Sequence, residues 1–420
     1  MAPGMTVGVA VVSREIFEAA LGVASPWFIA DMDFDEQAKT LTVYIDFERG
    51  SRFQVPDAEG THPVHDTVTK RYRHLNFFQY ECLLDVRVPR LKLPDGSVRQ
   101  LTPPWAGRLS GFTQLFEALV LTLAQQMPFR GVARITGVSV HRVMAICERY
   151  VELAVADTDL SEVRRIAVDE TSRARGHDYL TLAADPERRA VIFVTEGKGA
   201  ETIEALAARL VAGGGDPGAI DSCSIDMSPA FIRGVTGHLP NAAITFDKFH
   251  VIAQASQAVD ATRRGEQRHT PDLKGMRWSL LRDPDKLGAD ARGELDALVS
   301  QLTTLRTARA WQYREQLRQI LQRKQIHVVR RMLAQWCTNV MRSKVEAMKG
   351  VARMIRRHID GIVAWVRSRQ TNGFLEAING LFQAAKRKAR GYTRLSTART
   401  VIFLIAGKLD FQRINPHAVA

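Results

Sequence analysis

The chain has 420 residues, of which 45% are hydrophobic and 25% charged, so a multi-domain globular protein is expected and a largely disordered one is excluded. No run of about 18 apolar residues occurs, which excludes a membrane-spanning helix. The formal net charge of +13 points to a polyanionic partner, with nucleic acid first among the candidates.

The first residues, MAPGMTVGVAVVSREIF, have no basic lead before the apolar stretch, which predicts no secretory signal and a cytoplasmic protein. Cys82, Cys147, Cys223 and Cys337 lie far apart and form no C-x-x-C pair, arguing against a disulfide framework and a cysteine-based zinc site. Residues 1–50 form an N-terminal segment with one evident strand, TLTVYIDFER, in which Leu41, Val43, Ile45 and Phe47 alternate with other residues. Residues 51–105 read as a module of short β-hairpins with a turn at Asp95-Gly96. His62-Pro63-Val64-His65 reads as a turn rather than a zinc site, and the Pro-rich stretch 101–107 reads as a linker.

Residues 108–155 are helical and resemble a helix-turn-helix, with Gly137 in the turn. Ser139 is placed to cap the second helix, and Val140, His141 and Arg142 then lie near its N-terminus, where such helices reach base edges. Residues 160–252 follow the order β-β-β-α-β-α-β, which suits an α/β sheet. Residues 253–369 are almost entirely helical and basic, and include Trp278. Residues 370–412 return to helices and carry the stretch KRKARGYTR.

Three carboxylates stand out. Asp169 sits at the end of the run Arg165-Ile166-Ala167-Val168, which reads as a buried strand, and Asp226 repeats the pattern after Cys223-Ser224-Ile225. On neighbouring strands the two would converge at one edge of a sheet, and carboxylates held together repel unless a cation such as Mg²⁺ or Mn²⁺ joins them. Asp226 can equally start a helix as its N-cap, and Asp247, which ends the strand AAITFD, is a rival for the second position. Glu376 lies in TNGFLEAINGLFQAAKRKAR, a helix that Thr371 or Asn372 could cap, and it shares a face with Asn379, then Gln383 and Lys386 or Arg387. From Ala377 to Leu409 there is no acidic residue, while Lys386, Arg387, Lys388, Arg390 and Arg394 are basic, a one-sided pattern that reads as phosphate contact. No P-loop, G-x-G-x-x-G or H-E-x-x-H motif competes with this reading.

The stretches AVDETSRARGHDYLTLAAD (167–185), CSIDMSPAFIRGV (223–235), ITFDKFHVI (244–252), LKGMRWSLLRDPDKL (273–287) and TNGFLEAINGLFQAAKRKARGYTR (371–394) occur in the order seen in bacterial insertion-sequence transposases of the DDE type. With HDTVTKRYRHLNFFQYECLLDVRVPRLKLP (65–94) they make the chain resemble the ISL-three group from about residue 51 onward. The resemblance implies a ribonuclease-H-like α/β catalytic core over 160–252 and 370–412, split by an all-α insertion over 253–369. It implies a catalytic and metal-binding triad of Asp169, Asp226 and Glu376, with Asp226 following the fourth strand, and with Asp247, Lys248, His250 and Asn379 as accessory residues.

Further implications concern partners and cofactors. Two divalent ions, Mg²⁺ or Mn²⁺, roughly 4 Å apart would serve cleavage of phosphodiesters at the ends of the element and transfer of the 3′-hydroxyl to target DNA. Double-stranded DNA bearing terminal inverted repeats would meet Ser139, His141 and Arg142, the basic residues 386–394 and Trp278, the last by stacking on a base. A homodimer or higher oligomer is expected, because two ends must be paired. Where the family carries two zinc-ligand pairs near the N-terminus, this chain has Val55-Pro56-Asp57-Ala58 and Leu93-Pro94-Asp95-Gly96, so the module is expected to be a zinc-ribbon relic without zinc. An alternative for the whole chain is a catalytically silent transposase descendant that regulates by binding DNA.

Overall fold

The structure, a computed structural model, describes residues 6–56, 58–174, 176, 178–301, 304–370 and 372–418. Asp57 of the first degenerate ligand pair and Thr371, a candidate cap, lie outside the described residues. The chain forms two compact units, residues 1–158 with 409–420, and residues 159–408.

In the first unit, helix α1 (Thr6–Leu21) precedes strands β1 (Trp27–Asp35), β2 (Thr40–Phe47), β3 (Arg52–Phe53), β4 (His62–Arg73), β5 (Glu81–Lys92) and β6 (Val98–Gln100). They form one sheet in the order β1-β2-β5-β4-β3, with β6 on β5. The expected division near residue 50 therefore falls inside a sheet, since β2 pairs in parallel with β5 from Thr40↔Glu81 to Ile45↔Val86. The alternation in β2 is real: Leu41, Val43, Ile45 and Phe47 are all buried. His62 to His65 begin β4 rather than making a turn, with His62 paired to Phe53 and Val64 to Leu91. The Asp95-Gly96 turn stands as expected, with Gly96 at φ +82.

Residues 101–107 are packed rather than a free linker. Leu101 and Ala106 belong to the core of the sheet, and the Trp105 ring meets Trp27 edge-on at 5.3 Å. Helices α2 (Gln114–Gln126), α3 (Phe129–Thr136) and α4 (Val140–Asp157) follow. They close around the fully buried Glu117, whose carboxylate accepts from the Arg108 and Leu109 N–H groups and from the Tyr150 hydroxyl, each at 2.7 Å. Burial pushes the Glu117 carboxyl up, against those three donors.

The second unit opens with β7 (Arg165–Ala174), β8 (Asp178–Asp185) and β9 (Ala190–Glu196), then α5 (Glu201–Ala212), β10 (Ser222–Ile225), α6 (Pro229–His238) and β11 (Ala243–Phe246). The sheet order is β11-β10-β7-β8-β9. The β7–β8–β9 pairings are antiparallel, whereas β10 lies parallel to both β7 and β11. The helical segment follows as α7 (Lys248–Glu266), α8 (Arg277–Leu281), α9 (Ala289–Val299), α10 (Arg306–Gln322), α11 (Ile326–Met341), α12 (Glu346–Arg357) and α13 (Ile359–Ser368). The chain then returns to the sheet as α14 (Gly373–Ala389) and α15 (Leu395–Ala406). Sheet residues such as Ile166, Val168 and Cys223 share one core with Leu317, Leu333, Val340 and Trp365 of the helical segment. No described helix is long and apolar enough to cross a membrane.

Candidate active site

Asp169 lies in the middle of β7, not at its end as the sequence suggests, and pairs with Leu182 of β8. On its other side the parallel pairing with β10 has already stopped at Ala167↔Ser224. Beyond that point the Val168, Glu170 and Ser172 carbonyls accept from the side chains of Asn372, Asn379 and Gln383 instead of from a strand. Asp226 follows the last residue of β10, in the position expected after the fourth strand of this unit. It does not cap α6, whose N-cap is Ser228; its Oδ1 accepts instead from the Ser228 N–H at 2.9 Å.

Burial foremost pushes the Asp169 carboxyl up to about 6, and the nearby charges of Asp226 and Glu376 add to this. The Glu170 N–H, 2.8 Å from Oδ1, and the nearby His250 pull the other way. Glu170 is also raised, by burial first and by Asp226, against Lys198. Asp169, Asp226 and Glu376 thus share one electrostatic neighbourhood, although among the described residues no three His, Cys, Asp or Glu side chains form a metal-holding group.

The helix of Glu376 is fixed to β7 along its length. Asn379 donates at 2.8 Å to Asp169 Oδ2, Gln383 donates to Thr171 Oγ1 and the Ser172 carbonyl, and Lys386 Nζ donates to the same carbonyl at 2.8 Å. Residues 376, 379, 383 and 386 are spaced by three or four, so a single helical face carries the whole row. Glu376 is exposed, whereas Asn379 Oδ1 is buried and has no partner among the described residues.

Asp247 is tied to the backbone. It is fully buried, and its two oxygens accept from the Phe249 N–H at 2.9 Å and the Asn372 N–H at 2.6 Å. It therefore caps α7, and it also ties the start of the helical segment to the start of α14. The carboxylates that raise Asp169 are Asp226 and Glu376. Asn372, expected as a side-chain cap, occupies the N-cap position of α14 but sends its amide to the Val168 carbonyl at 3.2 Å. Gln370, which the sequence did not single out, bridges the Ser222 hydroxyl and the Ile166 carbonyl. No local pattern marks it, since its partners lie 148 and 204 residues away.

Of the accessory residues, His250 is half-buried and its Nε2 has no hydrogen-bond partner among the described residues. Lys248 is drawn toward rings, with Nζ 5.1 Å from the Trp365 centroid and 5.3 Å from that of Phe249. Trp278 is 58% exposed with the Arg277 guanidinium 5.0 Å from its ring, so it is free of the core. Arg387, Lys388, Arg390 and Arg394 are exposed and Lys386 half-buried.

In the first unit, α3 and α4 form the expected pair around Gly137, which takes φ +75. Ser139 caps α4 by accepting from the Arg142 N–H at 3.4 Å. His141 is exposed, while the Arg142 guanidinium folds back to donate to the Ser110 carbonyl at 2.6 Å and lies 4.3 Å from the Phe112 ring.

Comparison with known proteins agrees with this layout. Residues 166–402 match a transposase family of DDE type, and residues 101–151 match the helix-turn-helix domain of transposase family ISL3. The chain belongs to the ISL3 family of DDE transposases, enzymes that cleave DNA. It is 28% identical over 340 residues to the transposase for insertion sequence element IS1001 of Bordetella parapertussis, covering 78% of this chain and 82% of that one. It is 26% identical over 361 residues to the transposase for insertion sequence element IS1557 of Mycobacterium tuberculosis, covering 77% and 78%. Membership carries DNA binding and dependence on a divalent metal.

Proposed function

We propose that this transposase binds the terminal inverted repeats of an insertion sequence, hydrolyses phosphodiester bonds at its ends and joins the freed 3′-hydroxyl to target DNA. The catalytic groups are Asp169, Asp226 and Glu376 on a ribonuclease-H-like core. The observation that carries this reading is the Asp169 carboxylate, gripped by Asn379 from the Glu376 helix and sensing the charges of both Asp226 and Glu376. The sheet order β11-β10-β7-β8-β9, with Asp169 on the first strand of the unit and Asp226 after the fourth, supports the fold assignment.

The donor set fits a hard divalent cation. It is made of carboxylate oxygens, and the charges of Asp226 and Glu376 add to the burial that raises the Asp169 carboxyl to about 6. Asp169, Asp226 and Glu376 would hold two ions, Mg²⁺ or Mn²⁺, which when bound lower the pKa of an attacking water and stabilise a leaving oxygen. Asn379 holds the Asp169 carboxylate in one orientation, as supporting residues around metal ligands do. His141 and the α4 N-terminus read the repeat sequence, Trp278 stacks on a base, and Lys388 and Arg394 lie against phosphates. At least two subunits act together on paired ends, in the cytoplasm where the nucleoid lies.

The test is cleavage of linear DNA carrying the element's own ends, with Mg²⁺, with Mn²⁺ and with chelator. Wild type cuts only with metal, and Asp169→Asn and Glu376→Gln lose about a thousandfold in rate, because the stabilisation removed is several kcal/mol. Wild-type binding without cutting under every condition would instead favour a DNA-binding regulator.

A further inference from the structure

The ridge of α14 that begins at Glu376 ends in a cavity of about 710 Å³, formed where β7 and β8 meet the turn after α14. Arg173, Asp178, Lys386, Arg387, Arg390 and Tyr392 line it. Its charges fall into two groups. Arg173 is spent, because its guanidinium pairs with Asp178 at 2.6 Å and donates to the Thr393 carbonyl at 2.9 Å. Lys386, Arg387 and Arg390 form no ion pair among the described residues, and although the Asp178 charge still reaches Lys386, the lining keeps an excess of positive charge. Arg390 is held there in the left-handed region at φ +62, followed by Gly391 at φ +99, which turns the chain around the cavity mouth.

A row of cations at a helix C-terminus can serve the helix dipole alone. Here Lys386 is instead drawn to the Ser172 carbonyl on β7. The other two line the same open depression. The neutral row Asn379 and Gln383 connects this cavity to the carboxylates along one helix face. From residue 376 to residues 386–390 the helix rises about 15–21 Å, and one strand of DNA rises about 3.4 Å per nucleotide. We propose that this cavity is a phosphate subsite that holds the backbone of the bound DNA strand about four to six nucleotides from the bond that is cut. The inference rests on the reading of Asp169, Asp226 and Glu376 as the cleavage site.

The experiment uses full-length protein and an end-bearing duplex in which single phosphates are replaced, one at a time, by neutral methylphosphonate. Binding is read in Glu376→Gln protein, so it does not depend on cutting. The expected result is a loss of affinity confined to one or two phosphates about four to six nucleotides from the element boundary. Adding Arg387→Gln and Arg390→Gln removes that sensitivity and reduces the slope of log affinity against log salt by about two. Arg330→Gln, which removes an exposed cation that pairs with Asp360 outside the cavity lining, leaves the sensitive phosphates unchanged. The same footprint in the double-arginine variant overturns the subsite, as does sensitivity spread evenly over the duplex. Metal-dependent cutting by wild type with an unchanged footprint would sink the subsite alone and leave the cleavage reading standing. Thermal unfolding of each variant checks the fold, which substitutions at the exposed Arg387 and Arg390 are expected to leave intact.

Discussion

In the N-terminal sheet, Arg71, Arg87 and Arg90 each face a carboxylate, with Arg71 2.7 Å from Asp85, Arg87 3.1 Å from Asp46, and Arg90 against Asp66. On α14 Lys386 reaches a backbone carbonyl and Arg387 and Arg390 form no ion pair among the described residues, while the charges of Asp226 and Glu376 bear on Asp169. Both regions are rich in charge. In the first, these three guanidinium groups are each answered at the distance of an ion pair, which suits a closed structural role. In the second, like charges are gathered and left unanswered, an arrangement that costs stability unless a ligand supplies the opposite sign. Unbalanced charge on a rigid element is thus the better sign of function than the number of charged residues.

The sharpest way to break the comparison is to remove a neutral residue that organises the unbalanced cluster. Asn379→Ala takes away the donor to Asp169 and changes no charge. Cleavage should fall about 10–100-fold, as for other residues that orient metal ligands, with affinity for end DNA unchanged. Equal loss of binding and cutting would show that Asn379 contacts DNA instead of positioning Asp169.

A second substitution asks whether Asp247 belongs to the cluster or to the framework. Asp247→Asn leaves one buried N–H, of Phe249 or Asn372, without an acceptor. The expected cost is about 1–3 kcal/mol in stability, seen by thermal unfolding with or without divalent metal. If the substitution instead abolished metal-dependent stabilisation at unchanged metal-free stability, Asp247 would be a ligand and the assignment of Asp226 would fall.

These two residues also mark where the sequence stops being informative. Asp169 and Glu376 stand out because each sits in a distinctive local string, and Asp226 because the strands of its unit can be counted. The position of Asp169 within its strand was misread, since the apolar run ends at Val168 while the pairing with β8 continues to Ala174. Asp247 looked like a strand-end carboxylate no different from Asp226. Its two backbone donors lie two and 125 residues away, and only the folded chain brings the second one to it. The same holds for Gln370 and for the burial of Leu101 and Ala106, where Pro-rich composition pointed to a linker but packing on the sheet decided otherwise. The strand β1 went unnoticed because only its first turn of alternation is buried, at Trp27 and Ile29.

The first unit carries its own pH dependence, distinct from any cluster of carboxylates. His74 is buried against Thr113, 2.9 Å from its hydroxyl, and burial first, then Arg73 and His417, lower its pKa from 6.5 to about 4. Because the folded value lies below the unfolded one, the unfolded chain binds the proton more tightly. The contribution is therefore complete above pH 6.5 and is lost as the pH falls toward 4. By about pH 5 the loss should reach about 2 kcal/mol, and His74→Gln should flatten the unfolding profile of this unit between these limits. A profile unchanged by the substitution would assign the acid sensitivity elsewhere.

The smallest effect is expected where charges are already balanced. Arg87 reaches Asp46 across the sheet surface at 3.1 Å, and its guanidinium also lies 5.5 Å from the Phe47 ring. Both groups remain open to water, so screening and side-chain entropy cancel most of the attraction, and Arg87→Ala should cost under about 1 kcal/mol. The substitution should also leave DNA affinity and its salt dependence unchanged, because a cation already answered by Asp46 has little left to offer a phosphate. A fall in the salt slope of about one, the value of a lost phosphate contact, would show that this arginine exchanges its carboxylate for DNA. Ion pairing in the free protein would then no longer separate structural from functional charge, and the arginines of the N-terminal sheet would have to be counted with those of α14 as part of the DNA-binding surface.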